Sequence, residues 1–132
     1  MKLIRHHWEL EVYQLAVEAA MRFFELSKAF PKEETYSLTD QGRRSSRSVQ
    51  GAIAEAWRRR KYEAIFVNKL NEGEGEAAET QVWVQFAVKC GYVRRKDGKD
   101  LHLTYDRIIG KLTNMGNHPE KWILRKSSAG LT

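Results

Sequence analysis

Residues 63–90 carry the clearest helical pattern in the chain and read EAIFVNKLNEGEGEAAETQVWVQFAVKC. Small and apolar side chains recur along this stretch at alternating spacings of three and four, close to a heptad seam. These positions are Phe66, Leu70, Gly73, Ala77, Thr80, Val84 and Ala87. The seam is narrow in its middle, so Gly73 and Ala77 would let another helix approach closely. Gly91 follows as a natural C-terminal cap. The stretch therefore predicts a long helix with one buried side.

Three further helical patterns flank this stretch. The first covers about residues 8–29 and ends at Phe30-Pro31, because the residue before a proline is pushed out of helical geometry. The second covers about residues 39–61, where Thr39 or Ser37 could cap the first amides. The fourth covers about residues 100–115, after a polar turn at residues 94–99. Their core positions are Val12, Ala16, Ala19, Phe23 and Leu26, then Val49, Ile53 and Ala56, then Leu101, Tyr105, Ile108, Ile109 and Leu112.

Short loops between long helices favour antiparallel neighbours. The sequence thus predicts an all-α fold, an antiparallel up-and-down four-helix bundle. A length of 132 residues fits a single domain, 1–132, with an ordered core over about residues 8–124 and a frayed C-terminal tail after Trp122. A domain of this length buries enough core to fold without disulfides or metals.

Targeting features are missing from the sequence. No apolar run reaches the roughly 20 residues that span a bilayer, and the first residues are too few and too polar for a secretory signal. The single cysteine, Cys90, cannot form an internal disulfide, and we interpret it as a buried structural thiol. The cysteine count suits a reducing compartment. These observations predict a cytoplasmic protein with no membrane partner.

The charge of the chain predicts an anionic partner. The net charge is +6 and the pI is near 9.5, values that favour nucleic acid. Residues 41–61 hold seven cations and one acid, Glu55. At 100° per residue, most of these cations share one side of the second helix, and such a stripe can neutralise phosphates. The predicted nucleic-acid-binding residues are Arg43, Arg44, Arg47, Arg58, Arg59 and Lys61.

A second interpretation of the same charges stays open. The third helix places Glu72, Glu76 and Glu79 within roughly a 60° arc, where they could pair with the arginines inside one subunit or across an interface. Trp57, beside the arginine run, could stack on a base or anchor a subunit interface, and the interface is favoured. The charges would then serve assembly, and the chain would be a scaffold that docks a protein partner.

Catalytic and metal motifs are not found. A carboxylate-bridged metal site in a bundle needs Glu-x-x-His motifs on two helices, and this sequence has none. No nucleophile motif, phosphate-gripping glycine loop or zinc spacing occurs. We therefore predict a protein that is not an enzyme and that carries no cofactor, metal or catalytic residue.

The order of several motifs resembles that of a known family. The motifs are Leu10-Glu11-Val12-Tyr13-Gln14-Leu15-Ala16, Phe30-Pro31-Lys32-Glu33-Glu34, Tyr36-Ser37-Leu38-Thr39, Arg43-Arg44-Ser45, Ile53-Ala54-Glu55-Ala56, Glu79-Thr80-Gln81, Gly91-Tyr92 and Ile109-Gly110-Lys111-Leu112-Thr113-Asn114-Met115. Together they span about residues 8–124, and their order resembles the four-helix-bundle family of the 23S rRNA intervening-sequence protein. The chain is also similar to the accessory proteins of diversity-generating retroelements.

This resemblance implies more than the residues alone do. It implies a four-helix bundle assembled as a ring of five subunits, a homopentamer. It also implies a basic protein that binds RNA or DNA, and a protein partner such as a reverse transcriptase.

Overall fold

Residues 3–124 are described by the computed structural model, and they form four α-helices. The helices are α1 (Glu11–Ser27), α2 (Asp40–Arg58), α3 (Glu63–Lys89) and α4 (Arg95–Asn117). Short 3-10 turns lie at His7–Glu9, Lys32–Glu34 and Pro119–Lys121. No β-strand occurs within residues 3–124. The predicted all-helical fold with four helices is confirmed.

Neighbouring helices run antiparallel. In each pair, the residue numbers of the contacts rise along one helix as they fall along its neighbour. The contacts are Ser27–Arg43 and Ala16–Gln50 between α1 and α2, Arg44–Glu79 and Glu55–Lys69 between α2 and α3, and Gln81–Asp106 and Glu74–Thr113 between α3 and α4. An ion pair of 3.0 Å from Lys111 to Glu11 links α4 to α1 and closes the up-and-down bundle.

The α3 seam is buried along its whole length, as the sequence predicts. All seven predicted positions are buried, from Phe66 to Ala87. A β-carbon at Gly73 would lie 3.2 Å from Leu112 Cδ1 and 3.5 Å from Ala52 Cβ. Glycine at this position therefore lets α2, α3 and α4 approach one another closely near the middle of α3. Gly91, which has φ +81°, ends α3 in the left-handed conformation predicted for a cap.

The start of α2 differs from the prediction. Neither Thr39 nor Ser37 caps it, because a π-helical turn over Thr35–Thr39 leads directly into the helix. The Ser37 hydroxyl instead donates a hydrogen bond of 2.7 Å to Glu34 Oε1. The first amides of α2 are satisfied by the preceding turn, and no side-chain cap is needed.

The start of α4 also differs, because the predicted polar turn at residues 94–99 is largely helical. α4 begins at Arg95, and Gly98 is buried in its first turn. A β-carbon on Gly98 would lie 2.3 Å from Val88 Cγ2. Gly98 thus lets α4 start pressed against α3, and its presence in a polar run is explained by packing and not by a turn.

The prediction for Cys90, at the end of α3, is corrected. Cys90 is exposed and not buried, because α3 ends at Lys89 and Cys90 lies beyond the buried seam, whose last residue is Ala87. Residues 123 and 124, which follow Trp122 but belong to the predicted ordered core, are attached to the bundle. Ile123 packs against the core, and the Leu124 amide donates a hydrogen bond of 2.9 Å to the Arg60 carbonyl. The rest of the predicted frayed tail lies outside the described residues.

No helix within residues 3–124 is long and apolar enough to cross a bilayer.

Candidate nucleic-acid interface

The first two turns of α2 place three predicted site residues together. Arg43, Arg44 and Arg47 line one surface depression of about 510 Å³, together with Asp40 and Ser48. Arg44 and Arg47 are exposed and Arg43 is half-buried. Spacings of three and four bring these residues onto one side of the helix, as predicted. We call Arg43, Arg44 and Arg47 the N-terminal cluster.

Arg43 and Arg47 are held in place by α1. The Arg43 Nε–H donates a hydrogen bond of 2.8 Å to Ser27 Oγ, and its guanidinium lies 4.7 Å from the Phe24 ring centroid. The Arg47 guanidinium lies 5.8 Å from the same centroid. Cation–π contacts of this kind contribute about 0.5–1 kcal/mol at exposed sites. An aromatic ring orients the two guanidinium groups without neutralising their charge.

No carboxylate of residues 3–124 lies within 4.0 Å of Arg43 or Arg47. Both charges are therefore available to an external anion.

Arg44 differs from its two neighbours because it faces α3. Its Nη2 lies 3.1 Å from Glu79 Oε1, and its Nη1 lies 4.0 Å from Glu76 Oε2. The pairing of arginines with α3 acids inside one subunit, left open by the sequence, therefore occurs at Arg44. Burial, followed by the nearby Glu79, raises the pKa of Glu76 above its usual 4.5. Arg44 contributes to the link between α2 and α3, and its charge is shared with these acids.

The remaining predicted residues lie at and beyond the other end of α2. The helix ends at Arg58 and not near Lys61 as predicted, so Arg59 and Lys61 lie in the turn before α3. Arg58, Arg59 and Lys61 are exposed, and Arg58 lies about 16 Å along the helix axis from Arg47. No cation separates them, since residues 48–57 contain none. We call Arg58, Arg59 and Lys61 the C-terminal cluster. The predicted stripe is thus two clusters and not one continuous band.

Arg60 was not predicted as a site residue, and its contacts are structural. Its guanidinium lies 3.5 Å from the Trp57 ring centroid, and its Nε–H donates a hydrogen bond of 2.8 Å to the Trp57 carbonyl. Burial lowers the pKa of Arg60. This side chain covers Trp57 and closes the end of the bundle.

Trp57 cannot stack on a base or anchor a subunit interface, which corrects both interpretations. Its side chain is buried inside its own chain, with 4% of its surface exposed. The indole Nε1–H donates a hydrogen bond of 3.1 Å to the Arg5 carbonyl, and the ring meets Trp122 edge to face at 6.3 Å. The segment before α1 and the turn after α4 thus cover Trp57, and the sequence alone does not reveal this burial.

Lys69 of α3 forms a second ion pair with α2 and also pairs with Glu72 of its own helix. Lys69 Nζ lies 2.9 Å from Glu55 Oε2 and 3.1 Å from Glu72 Oε2. These pairs lower the pKa of Glu55 and raise that of Lys69. Within residues 3–124, no group of three histidine, cysteine or acidic side chains could hold a metal ion. The Glu55 carboxylate instead links α2 to α3 through Lys69.

The model of the 23S rRNA-intervening sequence protein family matches residues 8–114. The chain belongs to this family.

A solved structure supports this membership. The chain is similar to a protein of unknown function from the S23 ribosomal protein family of Bacteroides thetaiotaomicron, at 27% sequence identity and a TM-score of 0.72. The alignment covers 80% of this chain and 95% of that one. No curated protein matches the chain.

In this member of the 23S rRNA-intervening sequence family, the matched region contains both basic clusters of α2. Sequence analysis missed Phe24 and Ser27, which hold Arg43 in place. The sequence does carry a signal for Ser27, because it lies four residues after Phe23, a predicted core position of α1. The structure buries both residues. Phe24 lies next to that seam, where an aromatic residue can meet side chains of α2.

Proposed function

We propose that this protein is a non-catalytic, oligomeric helical protein of the cytoplasm that binds RNA or DNA through α2. The observation that carries the proposal is the arrangement of Arg43 and Arg47. Both guanidinium groups are held on Phe24, and no carboxylate of residues 3–124 lies within 4.0 Å of them. The family's description as a 23S rRNA-intervening sequence protein supports a role near RNA. Exposed Cys90, the single cysteine, suits a reducing compartment.

The two clusters suit a phosphate backbone better than they suit bases. Arginine and lysine contacts to phosphate position a protein on nucleic acid without reading its sequence. The separation of about 16 Å between Arg47 and Arg58 corresponds to about five steps of a duplex at 3.4 Å each. Arg43 and Arg47 would bind at one end, and Arg58, Arg59 and Lys61 at the other. Arg44 would contribute less, because its charge is shared with Glu79.

A salt series tests the phosphate contacts. Binding to a structured RNA and to duplex DNA is measured for the wild type and for the double variant Arg43→Glu/Arg47→Glu. Loss of two phosphate contacts should reduce the slope of log affinity against log salt by about 2. The control, Lys96→Glu/Arg107→Glu, makes the same charge change at exposed positions of α4. If both double variants weaken binding equally, α2 is not the binding surface.

Assembly into a homo-oligomer, a ring of five subunits as the family resemblance implies, is the second part of the proposal. Gly51 and Gly75 lie inside helices and are exposed, and nothing lies within 4 Å of a β-carbon at either position. Glycine at such positions destabilises a helix by about 0.5–1 kcal/mol relative to alanine. Both line a groove of about 410 Å³ between α2 and α3. A helix of a neighbouring subunit packed there would explain the absence of side chains.

Bulky substitutions test this assembly. Gly51→Leu and Gly75→Leu should leave the subunit folded, because the space is open, but should shift the oligomer to smaller species in light scattering. Gly110→Leu is the matched control, because Gly110 is also exposed within a helix and has nothing within 4 Å of a β-carbon. A wild type that is a stable monomer would refute the assembly.

A scaffold that docks a protein partner is the alternative function. The Arg44–Glu79 and Lys69–Glu55 pairs favour it, because they show cations of this protein engaged with its own acids. On this alternative, Arg43 and Arg47 would meet acids of a neighbouring subunit. Arg43→Glu/Arg47→Glu would then break the oligomer, and the wild type would not bind nucleic acid even at low salt.

A further inference from the structure

A groove of about 570 Å³ lies between the last turns of α3 and the first turns of α4. Its lining includes the apolar side chains of Val84 and Val88, and Gly98. Because Gly98 carries no β-carbon, Val88 reaches the α4 backbone and the two helices approach closely here. The result is a shallow apolar floor between two antiparallel helices.

The border of this groove is basic. Lys89, Arg95, Lys99 and His102 line it, and no acid does. Within residues 3–124, no carboxylate lies within 4.0 Å of Lys89, Arg95 or Lys99. His102 Nε2 lies 3.9 Å from Asp106 Oδ2. The groove thus combines an apolar floor with three cations, Lys89, Arg95 and Lys99, that form no ion pair within residues 3–124.

The chemistry of the lining distinguishes two classes of occupant. Single-stranded nucleic acid is bound by stacking successive bases on aromatic side chains. No Phe, Tyr or Trp lines this groove, and the imidazole of His102 lies 3.9 Å from Asp106 Oδ2. A duplex backbone would meet the cations but would leave the valine floor without an apolar partner. An acidic amphipathic helix satisfies both parts, because its apolar side chains cover the floor while its carboxylates face the border.

We propose that this groove binds an acidic amphipathic helix of a protein partner. The apolar side of that helix packs on the half-buried Val88, above the buried Val84, and its carboxylates approach Lys89, Arg95 and Lys99. From Arg95 to His102 the groove extends about 10 Å along α4, which matches two helical turns of the partner. The site lies between α3 and α4, apart from the clusters on α2, and does not depend on nucleic-acid binding.

The probe for this site is a synthetic peptide of fifteen residues with leucines on one helical side and glutamates elsewhere. A second peptide has the same composition, with its leucines distributed around the helix. Fluorescence anisotropy should show that the wild type binds the amphipathic peptide at least about tenfold more tightly than the scrambled one, because apolar burial is added to charge. Equal affinities for the two peptides would overturn the proposal.

Variants locate the binding. Arg95→Glu/Lys99→Glu reverses two exposed charges of the groove and should weaken the amphipathic peptide by at least about tenfold. Lys96→Glu/Arg107→Glu makes the same change on α4 outside the lining and should weaken it by less than about threefold. Circular dichroism checks that both variants keep their helices. Equal losses in the two variants would overturn the proposal. The same holds if Arg95→Glu/Lys99→Glu weakens a single-stranded oligonucleotide and not the peptide.

Discussion

The two sides of α2 use the same residue type for different purposes. On the α1 side, Arg43 and Arg47 meet the Phe24 ring. On the α3 side, Arg44 meets the carboxylate of Glu79 at 3.1 Å. Three arginines within five residues therefore differ in what they offer to an outside anion. The neighbouring helix, and not the arginine itself, decides whether the charge is available.

Two glycine positions of α2 also differ in how closely they are packed. A β-carbon on Gly42 would overlap the Phe23 ring, so only glycine lets α1 and α2 meet at this point. A β-carbon on Gly51, in the groove between α2 and α3, would have nothing within 4 Å. Substitutions at the two positions test this contrast.

The largest effect is expected at Gly42. Gly42→Ala forces a methyl group into the Phe23 ring, which is 1% exposed and has no free space to move into. We expect the free energy of unfolding to fall by about 3 kcal/mol, the upper part of the range for overpacked cores. Urea denaturation at fixed protein concentration measures it.

Gly51→Ala is the control for that experiment. No atom lies near a β-carbon there, so alanine should raise the free energy of unfolding of the subunit by about 0.5–1 kcal/mol through helix propensity. A similar fall in the free energy of unfolding in Gly42→Ala and Gly51→Ala would show that the two positions do not differ in packing.

A smaller effect is expected when Arg44 loses its acidic partner and so resembles Arg43 and Arg47. Glu79→Gln removes the close partner of Arg44 and frees its guanidinium. Nucleic-acid affinity should rise about two- to fivefold, while the free energy of unfolding should change by less than about 0.5 kcal/mol, because the pair is partly exposed.

Glu18→Gln provides the matched control, since it removes one exposed acid from α1 and changes the net charge equally. An equal gain in affinity from Glu18→Gln would mean that the total charge, and not Arg44, governs binding.

The smallest effect concerns pH. The pKa of Glu76 is raised in the folded state, first by burial and then by Glu79. A raised carboxyl pKa means that the folded state binds the proton more tightly than the unfolded chain. The ionised form of Glu76 therefore lowers stability as pH rises through and above its usual 4.5.

Glu76→Gln should remove that dependence. The free energy of unfolding of Glu76→Gln, minus that of the wild type, should be larger at about pH 7 than at about pH 4, by about 0.5 kcal/mol or less. Urea denaturation at the two pH values measures the difference. A relative loss of stability in Glu76→Gln on raising the pH would instead show that pairing with Arg44 outweighs burial.

The sequence predicts some parts of this protein well because their physics is local. The α3 seam is fully recovered, since a heptad pattern depends only on spacing along one helix. The start of α4 was missed because Gly98, in a polar run, looks like a turn residue, and its contact with Val88 is not local. Trp57 was misjudged for the same reason, since Arg5 and Trp122 cover it from distant parts of the chain.

The candidate site shows the same division. Helical periodicity places Arg43 and Arg47 on one side of α2, and the structure agrees. Their lack of acidic partners, and the pairing of Arg44, depend on which side chains α1 and α3 present to α2. The lining of the groove between α3 and α4 combines two helices, so no single stretch of sequence reveals it.

The exposed thiol at the end of α3 offers a practical route to these questions. Cys90 is the single cysteine of the chain and follows Lys89, which lines the groove between α3 and α4. A maleimide dye or a nitroxide attached there needs no background mutation. Its fluorescence or spin mobility would report a helix entering the groove, while the α2 clusters remain chemically unmodified. The protein thus carries its own attachment point for a sensor.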